Sequence, residues 1–463
     1  MADLASLRRE ELIELIMTQQ RMIEDQQRQI AELREEIEQL RRGGKRQAAP
    51  FSKGKRVENP KPPGRKPGQG PFTRRIVPLA EATETIIASA PECCPHGGGD
   101  LEQEREEVAT RADLPIHPHP VITAYRVSVC RCQQCGKRVR GAAPGLAPDQ
   151  TGATAHRVGP GVMAAAHTLH YAIGIPVRKV PAVRGELTGV SLTQSAITQD
   201  AMRRAAGPVR AAYEDLREQV REAPVAHTDD TGWRIGGRTA FLMGFDTDQS
   251  TVYQIRDRHR NEEVREIIPA DYQGVLITDR GTSYDAEELA GVAQQKCLAH
   301  LLRNVSEGVE RKRGPARRFG VKLKLLLREG LTFWHARGAL SGDEFRTRSR
   351  QLDQQLTDHL RNRILRDDDN QTLLNGIGLQ HDRGHLLRFL ETEGVEPTNN
   401  RAERILRPAV IARKVSHCSK NQRGADAFVA FVSIAQTACK KAQQTISQVL
   451  RDLFVRPAAA LAR

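Results

Sequence analysis

The sequence predicts an α/β protein built on a mixed sheet with helices, and three observations carry that prediction. Short, apolar, β-prone runs recur close together at 224–228, 239–246, 251–255 and 274–278. The first three follow one another through short polar connections, as an antiparallel meander does. The fourth follows a helical stretch at about 262–268, and a strand returning after a helix usually lies parallel to its target. This topology brings Asp229, after the first run, beside Asp279, after the fourth, at one sheet edge. Two carboxylates that close repel unless a cation neutralises them. Oxygen-only donors favour Mg2+ or Mn2+. A third acid is available in Pro397-Thr398-Asn399-Asn400-Arg401-Ala402-Glu403-Arg404. That stretch reads as a capped helix start, with Asn399 or Asn400 as N-cap, Glu403 near the first turn, and Arg404 and Arg407 one turn apart.

Composition narrows the class. The chain has 463 residues, 39% hydrophobic and 28% charged, which suits a soluble protein of several domains. No apolar run approaches the ~20 residues that span a bilayer, and no signal-peptide core is evident, so a cytoplasmic, nucleoid-associated protein is expected. The formal charge of +14 points to an anionic partner. Five of the eight cysteines fall between 93 and 135, which suggests a metal site in a reducing compartment rather than a disulfide framework.

The remaining segments follow in order. Residues 1–42 carry a heptad pattern, with Ile16, Ile23, Ile30 and Ile37 in one position and Leu12, Gln19, Gln26, Leu33 and Leu40 in the other. A parallel two-stranded coiled coil, and hence a homodimer or higher assembly, is expected. Residues 43–77 lack apolar content and form a basic disordered linker; from Arg41 to Arg75 twelve Lys or Arg face one acid, Glu58. Arg65 and Lys66 there are candidate DNA contacts, in the minor groove or through general phosphate attraction. Residues 78–150 hold Cys93-x-x-His96 and Cys132-x-x-Cys135, two pairs spaced like zinc knuckles and able to complete one tetrahedral Zn2+ site, with Cys94 or Cys130 as substitutes in register. Residues 151–222 read as helices at 160–171, 177–185 and 192–207, the last capped by Ser191. The pattern is helix-turn-helix-like, with Thr193, Gln194, Thr198 and Gln199 as candidate DNA contacts, or else a packing helix. Residues 301–395 are helical at 321–334, 342–361 and 383–391, and 425–463 read as C-terminal helices.

The order Asp229, Asp279, Glu403 resembles the DDE nucleases and transposases of ribonuclease-H-like fold. His227-Thr228-Asp229-Asp230-Thr231, Thr278-Asp279, Cys297-Leu298-Ala299-His300 and Asn399-Asn400-Arg401-Ala402-Glu403-Arg404, with Arg413-Lys414, are together similar to the insertion-sequence-66 family of bacterial transposases. The resemblance extends over nearly the whole chain. It implies a ribonuclease-H-like catalytic domain at 223–424 interrupted by a helical insertion at about 301–395. It implies metal-dependent cleavage and strand transfer of double-stranded DNA at the ends of the protein's own element. Two Mg2+ or Mn2+ ions are then held by Asp229, Asp279 and Glu403, Asp229 bridging. The family commonly has glutamate where Asp230 stands, and a register shifted by one makes Asp230 the ligand. The family's first zinc pair is usually cysteine–cysteine, where this chain has His96. Arg404, Arg407, Arg413 and Lys414 are expected near DNA. Cys297 and His300 form a C-x-x-H pair read as structural. Accessory proteins of the same element are possible partners. The alternatives are a ribonuclease-H-like nuclease or resolvase, and a zinc-containing DNA-binding protein with an inactive catalytic domain.

Overall fold

A computed structural model describes residues 120–141, 158–361, 363–441 and 443–455, with residues 98–100 and positions 19, 26 and 85. The coiled coil expected over 1–42, apart from helical Gln19 and Gln26, lies outside the described residues. So do Arg65 and Lys66 of the linker, and Cys93 and His96 of the zinc pair. The chain divides after Asp113, and the elements below belong to the C-terminal unit.

A small antiparallel hairpin comes first, β1 (Val129–Arg131) and β2 (Arg138–Arg140). The main sheet has five strands: β3 (Val225–Ile235), β4 (Arg238–Asp246), β5 (Thr251–Arg256), β6 (Val275–Thr278) and β7 (Ala293–Lys296). Their order is β5-β4-β3-β6-β7, with β3, β4 and β5 antiparallel and β6 and β7 parallel to β3. The expected meander and returning strand are both present, and this mixed sheet fits a ribonuclease-H-like domain. One expectation is corrected. β3 does not end before the aspartates but runs through them to Ile235, because β4 keeps pairing with it as far as the Gly236-Gly237 turn. Both glycines have positive φ, 57° and 86°, which a tight hairpin turn needs. Asp229 therefore lies within an inner strand, opposite the point where the shorter β6 stops.

Helices cover the sheet. Before it come α1 (Pro160–His167), continued by a π turn over Thr168–Ala172, then α2 (Val180–Thr188), α3 (Gln194–Ala205) and α4 (Pro208–Arg221). The cap of α3 is Thr193, whose hydroxyl accepts the Ala196 N–H at 3.1 Å; Ser191 is not the cap. The crossover helix α5 is short (Asn261–Arg265). After β7 come α6 (Leu298–Arg311), α7 (Gly314–Ala336), α8 (Gly342–Leu360), α9 (Asp368–Asp382) and the single turn α10 (Arg388–Glu391). The helix expected over 383–391 shrinks to that turn, since Gly384, at φ 70°, breaks the chain just after α9. The chain closes with α11 (Asn400–Ser416), α12 (Gln422–Lys441) and α13 (Ile446–Val455).

Two cores result. Leu242, Phe245 and Tyr253 of the meander are buried with Tyr213 of α4, Phe431 of α12 and Leu450 of α13. The C-terminal helices thus share the core of the sheet. Val275 and Ile277 of β6 are buried instead with Leu301, Leu323, Leu352 and Phe389 of α6 to α10. The insertion is therefore seated on β6. No described helix is long and apolar enough to cross a membrane.

Gly244 marks where α11 lies closest to the sheet. A Cβ there would stand 2.9 Å from Ile405 Cδ1 and 3.2 Å from Leu406 Cδ2. Gly244→Val is expected to cost about 1–3 kcal/mol by overpacking. A denaturant melt checks it, and an unchanged midpoint would show that α11 is not pressed against β4.

Candidate active site

Register brings the first two acids together. Val225 pairs with Val275 and His227 with Ile277, and two residues further along both strands stand Asp229 and Asp279. Asp229 is also level with Gly244 of β4, so its side chain leaves the sheet on the face where α11 packs. Glu403 lies in the first turn of α11 on that face. The next residue, Asp230, takes the opposite face, by the alternation of a strand. Its Oδ2 is 3.4 Å from His259 Nδ1, and His259 stacks on Phe241.

Electrostatics gives the same grouping. Burial, and then the neighbouring charges of Asp279, Asp230 and Glu403, push the Asp229 carboxyl up to about 7, against one opposing hydrogen bond from the Asp230 N–H. Burial raises Asp230 as well, with His259 opposing and Asp279 adding to it; Glu403 is not among its influences. Asp279 is held by the Gly281 N–H, 2.8 Å from its Oδ1. Glu403 Oε1 is 3.4 Å from His300 Nε2. Among the described residues no group of three or more His, Cys, Asp or Glu side chains is closed enough to hold a metal ion. The three acids share a field rather than a finished coordination sphere. Their chemistry nonetheless suits a hard divalent cation, with oxygen-only donors and a carboxyl, Asp229, that burial and then its acidic neighbours push up to about 7.

The raised Asp229 carboxyl makes stability depend on pH. A folded pKa above the unfolded value gives stability that is fully present below about pH 4 and lost as pH rises through about 7. Metal-free Asp229→Asn is therefore expected to melt above the metal-free parent at pH 8, by about 5 °C, with the gap closing toward pH 5. Parallel thermal melts in chelator check this. Equal midpoints at pH 8 would mean Asp229 is not in a repulsive cluster.

The α11 start is fastened to the sheet by the side chains of Asn399 and Arg401. Asn399 occupies the N-cap position, but its side chain does not cap the helix; it donates to the Thr228 carbonyl at 2.7 Å. Arg401 donates to Asp246 Oδ2 at 2.6 Å, to Asp248 Oδ1 at 2.5 Å and to the Thr247 carbonyl. Lys440 of α12 reaches the other oxygen of Asp246 at 2.5 Å. Asp246 itself is 1% exposed. A charged residue closing an otherwise apolar strand is the sequence signal for this clasp.

The candidate DNA contacts divide. Arg404, Arg407 and Lys414 are exposed on α11. Arg413 turns inward and donates to Thr231 Oγ1 at 3.2 Å and to the Gly232 carbonyl. Thr193 uses its hydroxyl for capping, whereas Gln194 is exposed. On α3 the inward face carries Ile197 and Ala201, with Asp200 hydrogen-bonded to His167 at 2.8 Å. Cys132 and Cys135 sit on the turn between β1 and β2, which closes through Cys132 N–H to Lys137 O at 2.8 Å and Gly136 N–H to Cys132 O at 2.9 Å. Hydrogen bonds from the Cys135 and Gln134 backbone hold the Cys132 thiol below its usual range. Cys297 and His300 open α6 directly behind the acids.

A mixed sheet of this order, with acids on two inner strands and on a covering helix, fits an enzyme domain of the ribonuclease-H-like class. The family model described as "Transposase IS66 family" matches residues 156–427, more than half of the chain. The chain belongs to that family, whose members are transposases and so, in general terms, DNA-cleaving enzymes. No curated protein matches it.

Proposed function

We propose that this protein cleaves and joins DNA at the ends of its own insertion sequence, with Asp229, Asp279 and Glu403 as the DDE acids. The observation that carries this reading is the strand register, which sets Asp229 beside Asp279 on the sheet face covered by α11, the helix whose first turn bears Glu403. Two Mg2+ or Mn2+ ions held by these three carboxylates would supply the Lewis-acid chemistry of an in-line phosphoryl displacement. Asp229, beside Asp279 in the strand register and on the sheet face that α11 covers, would be a ligand together with Asp279 and Glu403. Asp230 is left to His259. Glu403 is oriented by His300, and Asp279 by the Gly281 N–H. Arg404 and Arg407, exposed one turn apart on α11, hold the phosphates that flank the reacting bond. Double-stranded DNA is the substrate and target, and the chain's formal charge of +14 favours that anionic partner.

The N-terminal part adds assembly and a second metal. Residues 1–42 would pair two chains, and Cys132 and Cys135 would be two of the ligands of one structural Zn2+. The tight turn of Cys132 and Cys135, with a lowered thiol, supports the second half of that site. The double variant Cys132→Ser, Cys135→Ser is expected to lose about one zinc per chain by elemental analysis. Unchanged zinc content would remove the pair from any metal site.

The test of the function is an assay on labelled element-end DNA with Mn2+ or Mg2+, with the element's accessory proteins added. Formation of joined product is the expected result. Cleavage without joining would make the protein a nuclease or resolvase, and salt-sensitive binding without cleavage would make it a DNA-binding protein only.

A further inference from the structure

We propose that Cys297 and Asn399 are positioning residues that hold the backbones bearing the three acids in register, and that His300 holds the Glu403 carboxylate. This inference rests on the reading of Asp229, Asp279 and Glu403 as the DDE acids. The bonds form one continuous chain. The Cys297 N–H donates at 2.8 Å to the carbonyl of Thr278, the residue before Asp279. The Cys297 Sγ accepts the Asn399 N–H at 3.1 Å. The Asn399 side chain donates at 2.7 Å to the carbonyl of Thr228, the residue before Asp229. The Asn399 carbonyl accepts the Glu403 N–H at 3.2 Å, the first bond of α11. Cys297 and Asn399 are both fully buried, and a second strap, Leu298 N–H to Pro397 O at 2.9 Å, runs alongside. Three of these contacts fall on the residue before an acid or on the acid's own peptide, at Thr278, Thr228 and Glu403.

The C-x-x-H spacing acquires a physical reason. Three residues on a helix span one turn, so the Cys297 sulfur and the His300 ring share a side. The sulfur accepts the Asn399 N–H at 3.1 Å, and His300 Nε2 stands 3.4 Å from Glu403 Oε1. The sulfur is buried and already engaged by Asn399. The pair is therefore the inner end of a lock rather than half of a metal site.

The test uses full-length protein and three readouts: Mn2+ binding by water-proton relaxation, kcat and KM for cleavage of element-end DNA, and the far-UV circular dichroism of each variant. Cys297→Ala removes the acceptor; Cys297→Ser keeps one. His300→Ala removes the donor to Glu403; His300→Gln keeps one. Both alanine variants are expected to weaken Mn2+ binding and kcat about tenfold or more with KM for DNA unchanged, and the serine and glutamine variants to recover most of the loss. Wild-type Mn2+ affinity and kcat in Cys297→Ala would overturn the lock. Equal losses in Cys297→Ser and Cys297→Ala would also overturn it, because volume rather than the hydrogen bond would then matter. Asp229→Asn identifies the other failure. If it binds Mn2+ as the parent does, the DDE reading falls, and the lock with it, whatever the alanine variants do.

Discussion

Glu403→Gln is expected to lower cleavage and joining of element-end DNA by about a thousandfold or more while leaving DNA binding intact. Glutamine keeps the volume of the side chain and can still meet His300, 3.4 Å away in the parent. What it lacks is the negative charge that an in-line displacement on a divalent ion needs. Asp229→Ala and Asp279→Ala are expected to do the same, because each acid leaves a different element: β3, the end of β6, and the first turn of α11. None can replace another. Binding survives because Arg404, Arg407 and Lys414 point outward from α11 and phosphate contacts dominate affinity. The measurement is a filter-binding titration beside the joining assay. Full activity in any one variant would remove that residue from the site.

Asp246→Ala should be the most damaging substitution for stability outside the apolar cores. Asp246 is buried at the end of β4 and neutralises Arg401 and Lys440 together. Its removal leaves two cations facing each other with most of their surface out of water. Stripping one partner from such a group costs about 3–5 kcal/mol, which is about a 5 °C fall in the melting temperature for a unit of this size. Arg401 would keep Asp248, which is 85% exposed and a weak substitute. A calorimetric scan decides. A midpoint within about 2 °C of the parent would show that the cluster is not the main fastening of α11.

Much of the catalytic half is legible in the amino-acid order alone. Four apolar runs and one intervening helix give the meander and its returning strand, because period and turn residues are local properties. The handedness of a single crossover brings Asp229 and Asp279 side by side. The insertion reads as helical, but periodicity misses α6 and α9 and overextends α10. Their apolar residues are explained by burial against β6 and against each other, and that burial is not a local property. Asn399 reads as a helix cap, the usual use of asparagine there; the buried carbonyl of Thr228, 171 residues away in sequence, takes its side chain instead. Arg413 reads as a DNA contact from its charge and position, and the open backbone of β3 draws it inward.

The sequence by itself determined the class of fold, the order of the three acids, the basic character of the chain and the arginines of α11. These follow from periodicity, residue chemistry and spacing along short stretches. Only the tertiary structure puts Asp229, and not Asp230, on the sheet face that α11 covers. Adjacent strand residues point to opposite faces, and which face receives α11 depends on Gly244, Asn399 and Arg401, each in contact with segments remote in the chain.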